Sequence, residues 1–297
     1  MKAYLAIACL IAGIIMSVSC SKSPQQNVVD VTARDFKFEV ADPIPSGWTT
    51  FRFHNTGKVE HFFYLTLLPD SISFDRYHNG VTKPFVEVFD SLKAGVSKNA
   101  AIGLLGKRLP SWYFSAVKVM GGPGIIKPGG VAQTTVKLVP GTYAMECYIK
   151  TNGVFHSALG MIRPLTVSEN STDAQPPEPN AKITLSNGTI ATSGEVKSGK
   201  NIFAVHYKEQ RQAGLGNDVH LIRLSDNTDL NEVGAWMDWM NVKGLQSPAP
   251  AEFLGGAQEM PVGSTAYFTV DLTPGDYAFV AEPYAEQGMI KRFSVAD

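Results

Sequence analysis

Cys147, His156 and Met161 stand in the order Cys-x8-His-x4-Met. Cys147 closes the alternating run Tyr143-Ala144-Met145-Glu146-Cys147, which follows a Pro-Gly turn at Pro140 and Gly141. Alternation puts Tyr143, Met145 and Cys147 on one face, the face expected to pack into a core. The turn-like Thr151-Asn152-Gly153 precedes His156, and Met161 stands at the start of the next strand. A strand–loop–strand hairpin of this kind gathers a thiol, an imidazole and a thioether at one end of a sheet. A second imidazole, His61, ends the segment Asn55 to His61 and opens a strand predicted over His61–Leu68.

A thiolate and two imidazoles with a weak thioether suit copper in both oxidation states, because Cu(I) favours soft sulfur and Cu(II) accepts imidazole nitrogen. Zinc also takes Cys and His but rarely a methionine. Each residue has a bland alternative when taken singly: Cys147 as a small buried hydrophobe, His61 as a hydrogen-bonded core histidine, His156 as a loop histidine and Met161 as core. Their order, spacing and strand context point to a joint metal site.

The elements that position them form a repeat. VPGTYAMEC and then GMIRPLTV in the first half answer to TPGDYAFVA and then GMIKRFSV in the second. Upstream, IIKPGGVAQTTVKL parallels EMPVGSTAYFTVDL, and VEHFFYLTLL parallels DVHLIRLSD. A Pro-rich polar stretch, 168–181, reads as the linker between two bodies, 28–167 and 182–297. Period-two patterning at 36–40, 49–53, 133–139 and 266–272 predicts strands of antiparallel sandwiches. One helical insertion is expected in each body. Phe85, Val86, Phe89 and Leu92 share a helical face in the first, and Val233, Trp236, Met237 and Met240 in the second. Both insertions are expected to plug an open end of their sandwich, with a docking or lid role as the alternative.

The second body serves as an internal control. Its counterpart of Cys147 is Ala281, and counting back from Gly288-Met289 gives Tyr284 as the counterpart of His156. The loop is six residues shorter, with 14 steps from Cys147 to Met161 against 8 from Ala281 to Met289. His220 and Met289 remain, which leaves a structural role, with a weak Cu(I) or partner site as the alternative.

The first body resembles the cupredoxins, the blue copper family. The matching pieces are Phe36 and Phe38, the Asn-x-Gly-x-x-x-His segment ending at His61, the Pro140–Tyr143 turn, and Cys147, His156, Gly160 and Met161. The resemblance implies a mainly β fold of two tandem cupredoxin-like Greek-key β-sandwiches, each with a helical insertion. It also implies one type 1 copper per chain, Cu(I)/Cu(II), on His61, Cys147, His156 and Met161. The ligand loop is similar in spacing to that of the copper nitrite reductases. Two departures stand out. Phe62 follows His61 where the family often has a polar residue, which predicts sparse hydrogen bonding near the thiolate. Glu146 precedes Cys147 where the copper reductases and multicopper oxidases carry a histidine for a second copper, which argues against an enzyme of that type.

At the amino terminus, Lys2, an apolar run from Ala3 to Met16, and Ser17-Val18-Ser19 before Cys20 have the parts of a secretory signal. Cys20 resembles the lipid-bearing cysteine of a bacterial lipobox, although the usual Leu is Ser17 here. Residues 1–19 are therefore read as a leader and 20–27 as a tether to a membrane facing the periplasm or exterior. Cys147 is then the single cysteine of the folded body, unable to form an internal disulfide. A formal net charge of −1 implies no nucleic-acid partner. The expected function is one-electron transfer in the cell envelope with a redox partner protein that the sequence does not name. His156 is expected as an exposed ligand edge ringed by Val154, Phe155 and Leu159. Copper delivery or storage, a metal-free interaction lipoprotein, and an enzyme using copper on a partner's substrate are the alternatives.

Overall fold

The computed structural model describes residues 26–211 and 215–296. The predicted leader and Cys20 lie outside them. In the first half the chain forms β1 (Val28–Arg34), β2 (Lys37–Val40), β3 (Ile44–Asn55), β4 (Tyr64–Leu67), β5 (Lys118–Val119), β6 (Val131–Leu138), β7 (Gly141–Glu146), β8 (Lys150–Thr151), β9 (Val154–Phe155) and β10 (Ile162–Ser171). The second half adds β11 (Ala181–Ser186), β12 (Thr189–Gly194), β13 (Gly199–Tyr207), β14 (Val219–Arg223), β15 (Glu252–Ala257), β16 (Thr265–Leu272), β17 (Gly275–Val280) and β18 (Ile290–Val295). β10 continues to Ser171, into the stretch read as linker, because Ser171 pairs with Ser46.

The repeat read in the sequence is a repeat of pairings. β1 lies antiparallel to β2 and parallel to β3, as β11 does to β12 and β13. β7 lies between β4 and β10, as β17 does between β14 and β18. Tyr143 and Tyr277 each donate their hydroxyl to the carbonyl four residues back, Val139 (2.8 Å) and Thr273 (2.7 Å), pinning equivalent corners. The two sandwiches join through equivalent edges. β6 pairs antiparallel with β16, so that one sheet runs through both halves and neither edge is left open. A single buried apolar cluster spans them, with Phe51, Phe53 and Phe63 on one side and Phe203, Phe268 and Phe279 on the other.

The first insertion is larger than the single helix expected. It contains α1 (Phe74–Tyr77), a π-turn (His78–Thr82), α2 (Lys83–Lys93), α3 (Lys98–Arg108) and α4 (Ser111–Ala116). Ser73 and Ser97 cap α1 and α3 by accepting from the amides of Arg76 and Ala100. α2 buries Val88, Phe89 and Leu92 and leaves Phe85 and Val86 half-buried. In the second insertion α5 (Leu230–Met237) buries Val233, Trp236 and Met237. It ends at Met237, before Met240. The two insertions meet over the loop that carries His156. Phe89 packs on Phe155 at 4.9 Å, and Trp239 lies 5.4 Å from Phe85 and 6.3 Å from Phe155. α1 and the π-turn cover the outer face of β7, which is why Ala144 and Glu146 are buried along with the alternating Tyr143, Met145 and Cys147.

Candidate metal centre

Three chain segments converge at one end of the first sandwich. His61 sits just before β4, held by a two-way main-chain bridge to Ile126 (3.2 and 2.8 Å) rather than inside the strand predicted to begin there. Cys147 follows β7, and its amide donates to the Met161 carbonyl (3.1 Å). His156 opens a 3-10 turn, His156–Leu159, which is closed by Gly160 at φ 108°. That left-handed conformation favours glycine and lets the chain reverse, so that the Met161 amide donates to the His156 carbonyl (2.8 Å).

The side chains of His61, Cys147 and His156 meet. One ligand atom from each lies within 4.8 Å of the other two, and all three residues are wholly buried. The Nδ1 atoms of the two histidines are 3.1 Å apart, and Cys147 Sγ is 3.6 Å from His156 Nδ1. Met161 is wholly buried and tied by its main chain to both Cys147 and His156.

The outer nitrogens are anchored by residues that the sequence did not single out. His61 Nε2–H donates to Asp35 Oδ1 (2.9 Å); a carboxylate only accepts, so Nδ1 of this neutral ring carries a lone pair. His156 Nε2 lies 2.9 Å from Thr151 Oγ1. A hydroxyl both donates and accepts, so Thr151 serves either tautomer of His156 and holds the ring in place whichever nitrogen bears the proton. Asp35 lies 26 residues from its partner, and nothing local in the sequence marks it.

Burial sets the protonation of the group. It lowers His61 below its usual range, against the opposing pull of Asp35, and together with the neighbouring His61 it takes His156 down to about 2. Burial pushes the Cys147 thiol up to about 12, although the backbone N–H groups of Phe62 and Ile149 are directed at the sulfur. The hydrogen bonding expected to be sparse beside Phe62 is thus supplied by the main chain. Two neutral imidazoles and a protonated thiol at this spacing form a nitrogen and sulfur donor set that a soft or borderline cation would complete by displacing the thiol proton. The donors fit copper.

His156 differs from expectation in one respect. It is not an exposed edge, and Phe155 beside it is 3 % exposed, because α2 and Trp239 roof the loop. Asp35 and the half-buried Phe36, whose ring packs on His156 at 4.6 Å, lie over the site and reach solvent, and Leu159, expected to ring His156, is exposed.

The second half repeats the frame without the donors. The Ala281 amide donates to the Met289 carbonyl (3.2 Å) and the Met289 amide to the Tyr284 carbonyl (3.0 Å), the same bonds that join Cys147, Met161 and His156. Asp218, His220 and Glu282 are buried within 4.8 Å of one another. His220 Nδ1 accepts from the Ile125 amide (3.0 Å) and Nε2–H donates to Asp218 (2.9 Å). Both nitrogens are engaged, and a metal on Nε2 would require an imidazolate. The trio is a hydrogen-bonded cluster, and the alternative of a Cu(I) site on His220 and Met289 is not supported.

No family model matches the chain, and no curated protein matches it. Among solved structures it is similar to reduced auracyanin from Roseiflexus castenholzii (17% identity, 49% of this chain and 99% of that one, TM-score 0.29). It is also similar to a multicopper oxidase (15% identity, 91% and 88%, TM-score 0.22) and to a copper-containing nitrite reductase from Thermus scotoductus (11% identity, 91% and 61%, TM-score 0.22). Both halves are β-sandwiches built on the same set of strand pairings. At such identities nothing about ligands or partners carries over, and the site rests on its own geometry.

Proposed function

We propose that the chain is a copper-binding protein of the cell envelope that carries one electron at a time through a mononuclear type 1 site. The observation that carries this reading is the convergence of His61 Nδ1, His156 Nδ1 and Cys147 Sγ, with the far nitrogen of each ring tied to Asp35 or Thr151. On this reading His61, Cys147, His156 and the thioether of Met161 would hold one copper, and residues 28–167 form the metal-binding body. Copper there supplies a centre that alternates between Cu(I) and Cu(II). Asp35 and Thr151 fix the rings, and the N–H groups of Phe62 and Ile149 stabilise a thiolate. The closed packing resists rearrangement between the two states.

Burial of all the donors favours electron transfer over delivery or storage, since a metal that must exchange needs an open ligand. Glu146, in the position before Cys147, is engaged by the hydroxyls of Tyr64, Tyr77 and Thr82 rather than offering an imidazole. This supports a carrier rather than a two-copper catalyst. The partner would approach over Phe36 and Asp35. Export and a lipid anchor at Cys20 complete the reading, and the described residues contain no helix long and apolar enough to cross a membrane.

The test is an optical and EPR spectrum of a form lacking residues 1–20 after addition of Cu(II). An intense visible sulfur-to-copper band, with one copper per chain and lost in Cys147→Ala, is expected. Absence of that band, or its persistence in Cys147→Ala, overturns the reading.

A further inference from the structure

Beside the metal centre, and separate from it, a partly enclosed cavity of about 100 Å³ lies between the two sandwiches. Its wall carries three carboxyl groups, Glu146 from the first sandwich and Asp218 and Glu259 from the second. Among the described residues no lysine or arginine forms an ion pair with any of them. Glu146 accepts only from hydroxyls, Asp218 only from the neutral His220 and the Glu282 amide, and Glu259 from the Gly216 amide (2.7 Å). The lysine nearest in sequence to Cys147, Lys150, is lowered to about 7 by burial and donates to the carbonyls of Trp239 and Asn241 (2.9 and 3.0 Å) over the Phe89 ring. Buried carboxylates are ordinarily paired or neutralised. Burial accordingly lifts Glu259 to about 7.

Two further features give this space the character of a binding site. Gln258, also in the wall and 2 % exposed, leaves its buried amide nitrogen without a partner. Aromatic rings, among them Phe85, Tyr113 and Trp239, share the lining with the aliphatic Val81, Val119 and Leu215. Aromatic faces attract cations as well as rings. At about 100 Å³ this space is smaller than the roughly 150 Å³ cavity that encloses benzene, so a ring-bearing ligand would be only partly enclosed and would extend into the opening.

We propose that this cavity binds a small organic amine, as its cation, that carries an aromatic ring and a hydroxyl. The ammonium group meets Glu259 and Asp218, the ring lies against the aromatic wall, and the hydroxyl oxygen accepts from Gln258. Glu146 and Tyr148, which flank Cys147, both line the cavity.

The probe is tyramine, titrated calorimetrically into the protein above the Glu259 titration, with 4-ethylphenol as its uncharged counterpart. One-site binding of tyramine is expected, with 4-ethylphenol at least about tenfold weaker, since a hydrogen bond to a charged group contributes roughly 1.5–3 kcal/mol. Glu259→Gln, which keeps size and shape, weakens tyramine to a similar degree, and Phe85→Leu weakens both ligands. Equal binding of the two ligands, indifference to Glu259→Gln, or no binding of tyramine overturns the proposal. Cys147→Ser binds tyramine as the parent does. Amine binding lost with the copper band retained therefore condemns the cavity, and the band lost with amine binding retained condemns the copper reading.

Discussion

His61 and His156 face each other through their Nδ1 atoms at 3.1 Å, inside a site where neither ring touches solvent. With His61 Nε2–H committed to Asp35, the contact holds without a metal only if His156 turns its proton inward, with the Thr151 hydroxyl donating to Nε2. With Nδ1 of His156 left free to ligate, the ring would carry its proton on Nε2, and the same hydroxyl would then accept. Asp35 selects one tautomer, whereas Thr151 permits two.

Removing either anchor weakens metal binding while leaving the ligands in place. Asp35→Ala and Thr151→Val are each expected to lower copper affinity by about 10–100-fold, the usual effect of deleting a partner behind a ligating histidine. Thr151→Ser, which keeps the hydroxyl, is expected to stay near the parent. Competition with a chelator of known strength measures all three, and a Thr151→Val protein with parental affinity counts against the anchoring role.

Metal binding is expected to release one proton across the neutral range. The Cys147 thiol, pushed up to about 12, is protonated there until a metal displaces the proton. His156, at about 2, and His61, below its usual range, have no proton to lose. Affinity therefore rises about tenfold for each unit of pH, with a slope of one proton per metal. A slope near two would mean that one histidine is held as its cation.

The convergence of His61, Cys147 and His156 was legible because they lie within two short stretches whose spacing survives without knowledge of the fold, and because the second half repeats the frame with Ala281 and Tyr284 in place of Cys147 and His156. Tyr143 and Tyr277 made the duplication readable for the same reason. Asp35 was not legible, since only the β1–β2 turn brings it to His61. The burial of His156 was missed because it depends on Phe89 and Trp239, which come from two insertions about 150 residues apart. The larger first insertion escaped because α3 and α4 bury little and carry weak periodicity; within the two helices only Ala101 is buried.

The second sandwich holds the ligand loops of the first. The Lys150 amide donates to the Leu245 carbonyl (2.7 Å), the Ser247 amide to the Lys150 carbonyl (2.9 Å) and the Gly153 amide to Gln246 (2.9 Å). Beside His61, Glu60 accepts from Ser247 and from the Ala249 amide (3.1 Å). Burial lowers Lys150 to about 7; Lys150→Met keeps the packing but removes two hydrogen bonds and the contact with Phe89, and is expected to cost about 1–3 kcal/mol in urea unfolding. If the clamp positions the donors, the EPR copper hyperfine splitting changes in Lys150→Met and in Glu60→Gln. Lost stability with an unchanged spectrum would make the contact structural alone.

Glu259 should leave its mark on stability as a function of pH. Its carboxyl ionises near 4.5 in the unfolded chain and at about 7 in the folded one. Between those values the folded protein holds a proton that unfolding releases, so stability is full below 4.5 and falls as pH rises toward 7. The total effect is at most about 3 kcal/mol. Glu259→Gln cannot ionise, so its stability is expected to stay flatter across this window and to exceed that of the parent at its upper end. Urea midpoints taken through the window provide the comparison. Parallel curves for the two proteins would mean that Glu259 already has a counter-charge or ready access to water.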